Sequence, residues 1–197
     1  MASGKPQPHG EPPVALSMRL VLSFYGLMAA VALVWRLAAD GVMPWSEGPN
    51  ERVLPILWRV GSGVAAGLLL VWGSREFTAR SEAGRALANE LGRLVGPLGP
   101  GRAFALAAAS GLGEELLFRG ALQPRVGWLA ATLLFGAAHF VPMSKLRSWA
   151  LFALAAGGLF GALFALTGDL LAPVLAHALV NGLNLRWLGA PASQPAR

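Results

Sequence analysis

An all-α, polytopic transmembrane helical bundle is the fold class this sequence predicts, and three observations carry the prediction. The chain of 197 residues is 55% hydrophobic and 13% charged, with a mean hydropathy of +0.54, more apolar than a water-soluble domain needs. Its apolar residues gather in runs close to the roughly 20 that cross ~30 Å of hydrocarbon as a helix. Most of its charges collect at the ends of those runs or in a single amphipathic stretch, 74–102. The expectation is one bundle over 17–188, of about six spans plus one amphipathic surface helix, flanked by tails at 1–16 and 189–197. The chain has no cysteine, which removes disulfides and thiolate chemistry.

Each element has its own signal. The tail MASGKPQPHGEPPVAL, 1–16, is rich in proline and polar residues and reads as disordered. The first span, 17–37, carries Arg19 and Arg36 where long side chains can reach the interface. A cleaved signal peptide competes with it, but the long apolar run and Arg36, placed where a cleavage site would fall, favour a retained helix. The second span, 54–73, follows a link containing Pro44, Trp45, Pro49 and Asn50, and bears Trp58 and Trp72 as interfacial anchors. Over 74–102, Arg75, Arg80, Arg85, Arg93 and Arg102 alternate with Glu76, Glu82 and Glu90, and GPLGPG then breaks the helix. Four further spans are expected at 103–122, 127–141, 149–167 and 170–188, of which 127–141 is short for a full crossing.

Orientation follows from the basic residues. With a cytoplasmic amino terminus, Lys5, Arg19, the arginines of 74–102, Lys145, Arg147, Arg186 and Arg197 fall on the cytoplasmic side. Arg36, Arg52, Arg119 and Arg125 fall opposite, so both termini are expected to be cytoplasmic. The same pattern accounts for the net charge of +6. No dense basic block or aromatic-basic interleaving is present, which argues against a nucleic-acid partner.

Within the last four expected spans, few ionisable or carboxamide side chains lie away from the very ends: Glu114, Glu115, Arg119, His139, His177, Asn181 and Asn184. An ionised group at mid-bilayer costs about 2.5–3.5 kcal/mol on insertion scales, so such residues need partners or a function. On a helix Glu115 and Arg119, four apart, share a face and offset one another's desolvation. Glu114 is turned about 100° away and has no local partner. Phe135 and His139 share one face, as do His177 and Asn181. Small neighbours (Gly136, Ala137, Ala138, Ala176, Ala178, Gly182) permit close helix packing, so three helices can bring Glu114, His139, His177 and Asn181 to one point. Read singly, each has a structural explanation: an ion pair, an interfacial histidine, a helix-helix hydrogen bond. Asn184 is read as structural.

In order, EELLFR (Glu114 to Arg119), FGAAH (Phe135 to His139) and HALVN (His177 to Asn181) resemble the EExxxR, FxxxH and HxxxN motifs of the CAAX-protease and bacteriocin-processing family of intramembrane proteases. The resemblance implies a glutamic-type endopeptidase with no cofactor. Glu114 would be the general base, His139 would help hold water, and His177 with Asn181 would form the oxyanion hole. Glu115, Arg119 and Phe135 would support the site. A carboxylate and preorganised donors suit peptide hydrolysis on general grounds. The implied partner is a membrane-anchored protein or peptide with a C-terminal sorting tag or a lipidated cysteine, as in the bacterial myxosortase-like subgroup. The implied setting is the lipid bilayer of a bacterial inner membrane.

Three alternatives remain open on the residues. Glu114, His139 and His177 also form a zinc-type ligand set, although no HExxH spacing preorganises one. A non-enzymatic immunity or scaffold protein would keep the bundle without the chemistry. A proton-coupled transporter would use intramembrane acids and histidines, but no internal repeat is evident.

Overall fold

The computed structural model describes residues 17–45 and 54–189. The tails 1–16 and 190–197 and the link 46–53 lie outside the described residues, as do the readings of Lys5, Arg52 and Arg197. Among the described residues the chain is all-helical, with α1 Met18–Asp40, α2 Ile56–Arg80, α3 Glu82–Val95, α4 Pro100–Glu115, α5 Gln123–Ala138, α6 Arg147–Thr167 and α7 Leu171–Leu188. A π-helical segment, Leu116–Leu122, joins α4 to α5, and a 3-10 turn, Ser144–Leu146, precedes α6. Three stretches, Met18–Asp40, Ile56–Arg80 and Ser144–Thr167, are long and apolar enough to cross a membrane.

Local chemistry sets the boundaries. Ser17 caps α1, and Gly41, with a left-handed φ of 66°, ends it. α2 runs on through 74–80, the first part of the stretch read as amphipathic. Ser81 then stops it and caps α3 by accepting from the Gly84 amide at 2.9 Å. Pro100 sits in the first turn of α4, where its missing N–H is not needed. Gly127, with φ 81° and ψ 164°, breaks α5 near its start. α5 ends at Ala138, so His139 caps the helix rather than lying inside a span reaching 141.

α7 is the central element, packed against α2, α3, α4 and α6. Small residues make this possible. Gly63 and Gly67 on α2 lie against Ala172 and Ala176 on α7, and a Cβ on Gly63 would come within 2.6 Å of the Ala172 carbonyl oxygen. That is the close backbone approach by which helices associate where water supplies no driving force. Gly63→Ala is expected to cost about 1–3 kcal/mol of stability, read as a lowered thermal unfolding midpoint in detergent. On α6 the carbonyls of Gly157, Gly158 and Gly161 accept hydrogen bonds from Arg119, Trp128 and Gln123 at 2.7, 2.9 and 3.0 Å. These bonds fix α5 and the π-helical segment against α6. The Arg59–Asp169 ion pair ties the start of α2 to the turn before α7. Large side chains such as Leu20, Leu57 and Leu151 point outward, as a lipid-facing surface requires.

α3 carries the amphipathic character read from the sequence. Its Glu90 is only 4% exposed and bonds Arg93 at 2.8 Å, with Lys145, in the 3-10 turn, 3.7 Å away. The hydrogen bond from Arg93, aided by the charges of Arg93 and Lys145, holds the Glu90 carboxyl below the usual range against the opposing effect of burial. A depressed folded-state value means the stabilisation is present above the unfolded glutamate value of ~4.3 and is lost as pH falls through the lower folded value. Amide exchange in α3 is therefore expected to rise selectively below about pH 4, and Glu90→Gln should raise it already at neutral pH.

Candidate active site

The site is assembled from the end of α4, the π-helical segment, the end of α5 and the middle of α6 and α7. Glu114 is 7% exposed and Glu115 and Arg119 are essentially fully buried. Arg119 meets both Glu115 oxygens, Nη1 to Oε1 and Nε to Oε2, each at 3.2 Å, and donates through Nη2 to the Gly157 carbonyl at 2.7 Å. Its guanidinium lies 4.3 Å from the centre of the Phe135 ring, with Phe160 at 5.6 Å. A planar, multiply bonded cation stacked on aromatic faces is how arginine satisfies itself when buried.

Both histidines are oriented through Nδ1. His139 Nδ1 lies 2.8 Å from the Phe135 carbonyl, which can only accept, so Nδ1 carries the hydrogen. His177 Nδ1 lies 2.7 Å from Glu115 Oε1, and the carboxylate paired with Arg119 accepts there too. Aromatic packing fixes the ring planes. Phe160 stacks on His177 at 4.8 Å, Phe135 lies 4.6 Å from His139, and Trp149 meets His139 edge-on at 5.4 Å.

The two Nε2 atoms consequently converge on Glu114. Oε2 is 3.6 Å from His139 Nε2 and 3.9 Å from His177 Nε2, and it is buried without a hydrogen-bond partner. These distances exceed a direct hydrogen bond and fall within reach of a bridging water. A carboxylate oxygen and two neutral imidazole nitrogens are all acceptors, so the arrangement calls for a shared proton or a donor such as water.

Asn181 sits one turn after His177, and its polar contact is with Ser110, to whose hydroxyl it donates at 2.9 Å, rather than with Glu114. Its amide has a second N–H. Glu114, His139 and His177 are thus brought together, Glu115, Arg119 and Phe135 brace them, and Asn181 stands at the edge. The spacing did not single out Ser110, Trp149, Gly157, Phe160 or Tyr25. Ser110 lies one helical turn before Glu114, so its face was readable. Tyr25 on α1 interacts electrostatically with the Glu114 carboxylate, with no sequence signal of its own. Among the described residues no three histidine, aspartate or glutamate side chains are grouped to hold a metal ion.

Beside this centre lies a cavity of about 680 Å³ lined mostly by apolar side chains of α1, α2, α3, α4, α6 and α7. Tyr25, Ser110, Asn181 and Trp149 form its border with the site.

Fold and site together define a class, a helical membrane bundle with a buried carboxylate–imidazole centre. Residues 98–183 match the model of the Rce1-like family, described as type II CAAX prenyl endopeptidase Rce1-like. The chain is also similar to the uncharacterized protein YpbD of Bacillus subtilis (strain 168), 40% identical over 72 residues. That match covers 36% of this chain and 36% of the relative, so the chain spans about a third of the length of the curated relative it matches. No solved structure matches the chain.

Proposed function

We propose that this protein is an intramembrane endopeptidase of glutamic type. The observation that carries the reading is the Glu114 carboxylate, buried with Oε2 unbonded and faced by the Nε2 atoms of His139 and His177. In the proposed reaction water lies among these three groups. Glu114 takes its proton as the water oxygen bonds to the scissile carbonyl carbon, and the carbonyl oxygen becomes an oxyanion. The free N–H of Asn181, one helical turn after His177, is the donor to that charge. Glu114 then returns the proton to the leaving nitrogen as the C–N bond breaks.

His177 is held in one tautomer by Glu115, which Arg119 holds in turn, so Glu115 and Arg119 act through His177. The apolar cavity falls within the usual size range of ligand pockets, and its lining includes Asn181 and Ser110 next to this centre. It suits a substrate whose cleavage region is embedded in lipid: a membrane-anchored protein bearing a C-terminal sorting tag or a lipidated cysteine, cut in a bacterial inner membrane.

The test is mass spectrometry of the carboxy termini of membrane-anchored proteins from cells with and without this chain. Shortened termini present only when the chain is present are expected, and identical termini would reject the reading. The proposed chemistry uses no metal, so cleavage by purified protein should persist under a strong zinc chelator. Loss restored by zinc would favour a metal-dependent enzyme instead.

A further inference from the structure

We infer that Tyr25 is the positioning residue for Glu114, and hence that α1, outside the family segment 98–183, completes the active unit. The inference rests on the endopeptidase reading above and adds a residue to it.

The first observation is steric. The backbone of α1 comes close to α4 and the π-helical segment, and Asp40 near its end pairs with Arg125 of α5. At that contact Gly113 lies so close to α1 that a Cβ would stand 2.8 Å from the Tyr25 carbonyl oxygen and 3.3 Å from its Cβ. The residue after Gly113 is Glu114. The absence of a side chain at 113 brings the Tyr25 backbone against α4 beside the glutamate, and the phenol then faces the carboxylate.

The second observation concerns hydrogens. Among the described residues four groups face or sense the Glu114 carboxylate: His139, His177, Tyr25 and the charge of Arg119. His139 commits its Nδ1 hydrogen to the Phe135 carbonyl, His177 commits its own to Glu115, and Arg119 is bonded to Glu115 and Gly157. Neutral imidazoles thus present only acceptor nitrogens to Glu114, and an acceptor cannot hold a carboxylate in place. The Tyr25 O–H is the donor facing Glu114. The hydrogen bond we infer from it to one carboxylate oxygen would leave Oε2 turned toward the histidines, where the reacting water is needed. Tyr25 also borders the cavity with Ser110 and Asn181, so it stands where substrate meets the site.

Tyr25 is the single tyrosine of the chain, so 3-fluorotyrosine incorporated into the full-length protein gives one 19F resonance that reports this phenol alone. In detergent or nanodiscs, that resonance is expected to move in Glu114→Gln, to move similarly in Gly113→Ala, and to stay in place in Glu76→Gln. Tyr25→Phe removes one oxygen and keeps the ring. It should lower kcat about 10-fold or more with little change in KM, at an unchanged unfolding midpoint. A resonance identical in wild type and Glu114→Gln, or wild-type turnover in Tyr25→Phe while Glu114→Gln is inactive, overturns the assignment and leaves the endopeptidase reading standing. Full turnover in Glu114→Gln instead removes that reading itself, and the positioning role with it.

Discussion

Glu114→Gln is expected to lower hydrolysis of a membrane-anchored substrate on the order of 10²–10⁴-fold, while the protein inserts and unfolds as wild type does. The change is nearly isosteric, and the carboxylate oxygen it alters has no hydrogen-bond partner to lose. A glutamine cannot take and return a proton, so the loss should appear in kcat. Measured turnover together with a thermal unfolding midpoint decides the point. Turnover within a fewfold of wild type would remove the glutamate from the chemistry and favour a binding role for the bundle.

Arg119→Ala should behave in the opposite way, with a loss of folded protein ahead of any loss of rate. The guanidinium is essentially fully buried, hydrogen-bonds Glu115 Oε1 and the Gly157 carbonyl, lies 3.2 Å from Glu115 Oε2, and stacks on Phe135. Its removal leaves Glu115 buried and uncompensated, which typically costs about 3–5 kcal/mol. It also uncouples the π-helical segment from α6. Lysine is a poor replacement, because one ammonium cannot serve a carboxylate edge and a carbonyl while lying flat between rings. Membrane abundance and unfolding in detergent read this effect directly. Glu114→Gln and Arg119→Ala thus separate a group placed for reaction from a group that keeps the reacting groups in place.

Parts of the site were legible because helical spacing acts over one turn. Glu115 and Arg119 four apart, His139 four after Phe135 and Asn181 four after His177 are local relations, and the structure keeps each within a turn. The misfit of Glu114 was legible for the same reason: a carboxylate off the face of its neighbour's ion pair has to look to another helix. The contacts that orient the chemistry were not legible. Glu115 pairs with His177 across 62 positions and Arg119 reaches Gly157 across 38, and no local period encodes such meetings.

The sequence by itself determined that this chain is a helical bundle for an apolar medium, and which few polar side chains would have to be accommodated there. Hydrophobic periodicity and the cost of burying charge act on each segment alone, so they can be read along the chain. Tertiary structure alone decided that the helix turns π-helical immediately after Glu115, that Oε2 of Glu114 is left to the two imidazoles, and that a tyrosine from the first helix stands over it. Those outcomes depend on how closely glycine-bearing helix faces approach one another, and close packing fixes that distance only when all the helices are present together.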